Sequence, residues 1–123
     1  MNKKINIGVL GCANIAYNKV LPALKESEKF NVVGVASRNR EKANTFAAKF
    51  ETKAYYSYQD LLDDSKVEAV YIPLPNSLHY EWILKAIDNN LNILVEKSMA
   101  CTYGQVVELN ELAKERNVVL MEN

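Results

Sequence analysis

"NIGVLGCANIA", residues 6–16, decides how this chain folds. Ile7, Val9 and Leu10 read as the end of a buried strand, and Gly11 breaks the run. A glycine-rich turn between strand and helix reads G-x-G-x-x-G. Here Gly11 is the first glycine, and Ala13 and Ala16 stand in the places of the second and third. Gly11 reaches the turn without a Cβ penalty. Ala13 adds one methyl where the backbone must approach a ligand, and Ala16 adds one where the helix must pack on the strand. Asn14 and Ile15 then bring the free N–H groups of a helix N-terminus to the same spot, which favours anions. A tight packing turn would use the same small residues, so Gly11, Cys12, Ala13, Asn14 and Ile15 alone leave both readings open.

Outward from this loop, apolar and β-branched runs alternate with amphipathic ones. "KINIGVL" from Lys4, "NVVGVAS" from Asn31, "VEAVYIPL" from Val67, "NILVEK" from Asn92 and "NVVLME" from Asn117 read as strands, with a weaker one at "KAYY" from Lys53. "IAYNKVLPALKES", "REKANTFAAKF", "SLHYEWILKAIDNN" and "TYGQVVELNELAKERN" carry apolar residues at helical spacing. "SYQDLLDD" adds one or two turns. Pro22 is expected to kink or delay its helix, and Thr102 is a cap candidate. Strands alternating with helices imply parallel pairing through right-handed crossovers. The predicted fold is a Rossmann-type, doubly wound, mainly parallel sheet with helices on both faces, a three-layer α/β/α domain. Ligands on such sheets sit outside the carboxyl ends of the strands.

The chain has 123 residues, enough for one domain, and 49% are apolar. Fifteen basic and 15 acidic residues balance, which argues against a nucleic-acid surface. No apolar run approaches the roughly 20 residues that span a bilayer. Cys12 and Cys101 are far apart and lack metal-ligand spacing, and the single histidine cannot build a histidine metal site, so no metal is expected. A reduced, cytoplasmic setting is the simplest account of the cysteines.

Three further loops fall at strand ends. In "ASRNREK", residues 36–42, Ser37 and Arg38 stand where a ribose-binding carboxylate would serve NAD, with Arg40 and Lys42 nearby. A hydroxyl plus a guanidinium fork suits a phosphate, so NADP is expected over NAD. In "IPLPNSLHYEW", residues 72–82, Pro73 and Pro75 stiffen the strand exit, and Asn76 or Ser77 is expected to cap the next helix. His79, in the first turn of that helix, reads on its own as a surface or capping histidine. In "LVEKSMA", residues 94–100, Glu96 and Lys97 close a buried strand. Lysine there can serve in proton chemistry, although a solvent-exposed ion pair would look the same.

These stretches, in this order and over almost the whole chain, resemble the Gfo/Idh/MocA family of oxidoreductases. The resemblance implies a first domain that binds NAD or NADP and, in the longer enzyme, a sugar or polyol-type small-molecule substrate. Glu96 and Lys97 match the first two residues of the family's E-K-P motif; Ser98 replaces its proline. The resemblance implies that Lys97 faces the substrate hydroxyl beside the nicotinamide, and that Leu74, Asn76, His79 and Glu96 line the nicotinamide end. Family members continue into a second, mostly β domain with the rest of the substrate site. The chain is therefore expected to be the dinucleotide-binding domain of such an enzyme, to turn over little by itself, and to expose the apolar sheet edge that the second domain would cover. A homo-oligomer and no membrane or nucleic-acid partner complete the expectation. The alternative is a non-catalytic, redox-sensing dinucleotide module, which would need neither Lys97 nor the His79 loop. A domain for a different nucleotide is disfavoured by Ser37 and Arg38.

Overall fold

The computed structural model describes residues 3–123. Six strands, β1 (Ile5–Leu10), β2 (Phe30–Ala36), β3 (Lys53–Tyr55), β4 (Ala69–Ile72), β5 (Asn92–Val95) and β6 (Leu120–Glu122), form one sheet in the order β3-β2-β1-β4-β5-β6. Every neighbouring pair is parallel. The order reverses between β1 and β4, which makes the crevice at their carboxyl ends the place for a ligand. The doubly wound Rossmann-type fold expected from the alternation is the one observed.

Five α-helices connect the strands: α1 (Leu21–Glu26), α2 (Arg40–Lys49), α3 (Tyr58–Asp63), α4 (Asn76–Asp88) and α5 (Tyr103–Glu115). On one face of the sheet, Leu21 and Leu24 of α1 and Phe46 and Ala47 of α2 pack on Ile7, Val9, Val32 and Val35. On the other, α3, α4 and α5 bury Leu61, Ile83, Ile87 and Leu109 against Leu10, Val70, Ile72 and Val95. Strands buried on both faces need apolar residues at nearly every position, and all four residues of β4 are buried.

Helix boundaries follow local chemistry. Asn39, Ser57 and Thr102 cap α2, α3 and α5, accepting bonds from the amides of Lys42, Asp60 and Gln105 at 3.0–3.1 Å. The expected cap at Asn76 or Ser77 is not made: Pro75 holds the capping position without a side-chain bond, and the Asn76 amide oxygen accepts the Ser98 N–H at 3.3 Å instead. Pro22 delays α-geometry as expected. Ala16–Val20 form a π-helical turn, with Leu21 N–H donating to the Ala16 carbonyl, before α1 begins. Pro22 lies at the start of α1 inside the helical run 14–26, and the π turn just before it accommodates its missing N–H.

Two strand glycines permit close packing. Gly8 and Gly34 pair across β1 and β2, next to an irregularity that follows Ile7. A Cβ on Gly34 would lie 2.1 Å from the Tyr55 ring, and one on Gly8 would lie 2.6 Å from Leu61. On the α1 side, an apolar groove of about 420 Å³ opens beside Leu24 toward β5 and β6, floored by Ala69, Leu94 and Met121.

Candidate active site

The carboxyl ends of β1, β2 and β4 open into a cleft of about 540 Å³, within the size of small-molecule sites. Gly11, Cys12 and Ala13 form one wall, Ser37, Arg38, Asn39 and Lys42 a second, and Pro73, Leu74, Pro75 and Leu78 a third, with Tyr58 alongside.

Gly11 is required for two reasons. Its φ is +117°, a conformation that L side chains rarely adopt. A Cβ there would also lie 2.8 Å from Leu74. Ala16, fully buried, lets the helix pack on β1. Helical structure runs from 14 to 26, and its first regular bond is Tyr17 N–H to the Ala13 carbonyl at 3.1 Å. The amides of Asn14, Ile15 and Ala16 precede that bond and lack intrahelical acceptors. Asn14 and Ile15 are exposed at the flank of the cleft rather than in its lining.

The cleft lining carries two cations, Arg38 and Lys42, and no carboxylate. Ser37 is buried, and its hydroxyl oxygen accepts the Asn39 N–H at 3.0 Å. It shapes the turn that presents Arg38. The Arg38 guanidinium sits 6.0 Å from the centroid of the Tyr58 ring, which Trp82 meets edge-on at 5.1 Å. Arg40 leaves the cleft and stacks on Tyr56 at 3.9 Å. Burial pushes the Cys12 thiol up to about 11, against the opposing pulls of the Ser37 hydroxyl and the Lys42 charge. Cys12 is therefore a neutral, small lining group at physiological pH.

Asn76, His79, Glu96 and Lys97 gather beside this cleft rather than in its lining. Glu96 accepts bonds from the buried Tyr71 hydroxyl and from the Asn123 amide, the latter at 3.1 Å. Burial first, and then the bond to Glu96, raise the Tyr71 hydroxyl well above its ordinary range, so Tyr71 remains the donor. Lys97 is exposed. The described ion pairs, Lys85–Glu81 and Arg116–Asp88, involve neither Glu96 nor Lys97. The two adjacent charges therefore do not form the solvent-exposed pair that the sequence also allowed. The Lys97–Ser98 peptide bond is cis. His79 is fully buried, its ring nitrogens facing the carbonyl oxygens of Leu74 and Ser98. Its side chain lies behind the wall, not on the surface or at a helix cap.

Sequence reasoning did not single out Asn39, Tyr58 or Leu78 as cleft residues. Asn39 carried a signal, a capping residue directly before α2 in the loop after β2. Tyr58 comes from a short helix remote in sequence, and no local pattern marks its approach to Arg38.

The model of the "Oxidoreductase family, NAD-binding Rossmann fold" matches residues 5–123. A dTDP-3,4-didehydro-2,6-dideoxy-alpha-D-glucose 3-reductase from Saccharopolyspora spinosa is 44% identical over 100% of this chain and 37% of its own length. A D-xylose 1-dehydrogenase (NADP(+)) from Haloferax volcanii is 37% identical over 94% of this chain and 35% of its own. Among solved structures, KijD10, a 3-ketoreductase from Actinomadura kijaniata in complex with NADP and TDP-benzene, superposes with a TM-score of 0.96 at 39% identity, covering 98% of this chain and 37% of that one. The chain thus spans little more than a third of the length of these relatives. With the fold, the Gly11 turn and the matched residues in agreement, the chain belongs to the Gfo/Idh/MocA oxidoreductase family and carries its NAD-binding Rossmann fold.

Proposed function

We propose that this chain holds NADP for an enzyme that reduces or oxidises a sugar-type substrate at a carbonyl or carbinol carbon. The observation that carries the cofactor reading is the cleft at the β1–β2 carboxyl edge, with Arg38 and Lys42 in its lining and no carboxylate. Free helix amides at Asn14 and Ile15 and the bare Gly11 backbone fit a pyrophosphate. Arg38 and Lys42 fit a ribose 2′-phosphate, and Leu74 and the prolines supply an apolar wall for a ring. The dinucleotide, when bound, supplies the hydride chemistry.

The chain's own residues bind, orient and manage a proton. Gly11, Cys12 and Ala13 shape the anion turn, Ser37 sets the Arg38 loop, and Leu74 backs it from β4. We assign to Lys97, whose exposed amine makes no ion pair among the described residues, the role of polarising a substrate oxygen and sharing its proton. The names of the relatives, a dTDP-sugar 3-reductase and a xylose dehydrogenase, support a sugar or sugar-nucleotide substrate.

Titration of the chain with NADPH, followed by nicotinamide fluorescence, tests the cofactor reading. Saturable binding supports it; no binding at millimolar cofactor overturns it. For Lys97, the complete enzyme carrying Lys97→Ala is expected to keep its NADPH affinity and to lose turnover by about 100-fold or more. Unchanged turnover removes the amine from the chemistry.

A further inference from the structure

His79 is the chain's one histidine and has no exposed surface. Its Nε2 lies 2.6 Å from the Leu74 carbonyl oxygen in the turn after β4, and its Nδ1 meets the Ser98 carbonyl oxygen in the segment after β5. Both partners only accept hydrogen bonds. A neutral imidazole has one N–H and donates to one of them, leaving a nitrogen lone pair facing an oxygen lone pair. A protonated ring donates to both.

We propose that His79 is a positioning residue that staples the Lys97–Ser98 segment to the Leu74 turn, with one bond when the ring is neutral and two when it is protonated. Its consequence for catalysis by Lys97 rests on the proposed function; the staple itself does not. Ser98 is then held at both ends of its backbone, its carbonyl by His79 and its N–H by Asn76 at 3.3 Å. The first of these bonds is charge-assisted when the ring is protonated, and the second is long, so His79 dominates the tether.

Charged groups on the neighbouring elements are occupied elsewhere. Glu81 on α4 pairs with Lys85, Glu96 after β5 accepts from Tyr71 and Asn123, and Glu108 on α5 accepts from Tyr80. Glu122 on β6 accepts from the Met99 N–H, and Lys97 is exposed. The described hydrogen bonds of the ring thus go to two carbonyls and to no carboxylate that would lock its charge.

A single histidine makes nitrogen-15 NMR of its ring unambiguous. In the 123-residue chain, the number of protons on the ring is read directly at each step of a pH titration. Amide exchange at Ser98 and Met99, corrected for intrinsic rate, is expected to be slower by about fivefold or more where both ring nitrogens carry protons than where one does, the size of one added hydrogen bond. His79→Gln, which cannot reach both carbonyls, should erase that difference while far-ultraviolet circular dichroism is retained. Should that variant not fold, the wild-type titration decides alone. Release of either carbonyl on protonation, equal corrected exchange in the two ring states, or a ring that takes no second proton while the chain stays folded, overturns the proposal. NADPH affinity measured in parallel separates the two ideas: an intact staple without NADPH binding overturns only the cofactor reading.

Discussion

The Tyr71 hydroxyl, carried by the central strand β4, donates to the Glu96 carboxylate at the end of β5. The ring is wholly buried, and the bond ties the carboxyl ends of adjacent strands directly before Lys97. Tyr71→Phe removes the donor and leaves Glu96 with Asn123 as its described side-chain partner. A loss of about 1–3 kcal/mol in unfolding free energy is expected, since a partly buried carboxylate loses a strong donor. Urea denaturation with an unchanged m-value measures it.

Gly11 joins two constraints that a methyl would violate together. Its φ of +117° is strained for any L side chain, and its Cβ position lies 2.8 Å from Leu74. Gly11→Ala is expected to cost about 1–3 kcal/mol of stability and to weaken NADPH binding, because the added methyl and the Leu74 it displaces both lie in the cleft lining. Thermal unfolding and a fluorescence titration read the two effects separately.

The sheet's paired glycines differ in how they meet their neighbours. Gly8 faces the ends of the Leu61 side chain, which can rotate. Gly34 faces the Tyr55 ring at 2.1 Å and the Lys53 carbonyl oxygen at 3.2 Å, which cannot yield as easily. Gly34→Ala is therefore expected to destabilise more than Gly8→Ala, by about 1–3 kcal/mol against wild type. Equal midpoints for the two variants in denaturant would contradict this ranking.

Cys12 should resist alkylation at neutral pH. With the thiol pushed up to about 11, raising pH through 8, 9 and 10 should increase its labelling about tenfold per unit, because the thiolate is the nucleophile. Exposed Cys101 should label first. NADPH should slow labelling at Cys12 further, since that residue lines the cleft. Peptide mass spectrometry after timed iodoacetamide treatment reports both sites.

The sheet was legible because parallel strands buried on both faces must be apolar almost throughout, and five helical runs separate them. The β1 turn was legible as well: Gly11 has the positive φ, and Ala16 is buried, as their places in the pattern require. What stayed hidden depends on tertiary approach. Gly8 and Gly34 look like interruptions in strands until Leu61 and Tyr55 are placed over them. Tyr58 enters the cleft from α3, with no spacing rule linking it to Arg38. Asn76 looked like a helix cap, but the segment after β5 offered its amide a partner 22 residues away. His79 looked like a surface residue because its partners are backbone carbonyls, which leave no mark in a sequence.

The central claim is that Arg38, presented by the Ser37 turn and accompanied by Lys42, selects a 2′-phosphorylated dinucleotide. The most direct measurement is the ratio of NADH to NADPH dissociation constants for the wild-type chain and for Arg38→Asp, at fixed ionic strength. The account predicts NADPH binding tighter by about tenfold or more in the wild type, the size of one charge-assisted phosphate contact, and a ratio near or below one in Arg38→Asp. NADH binding as tightly as NADPH, or a ratio that Arg38→Asp leaves unchanged, would contradict it.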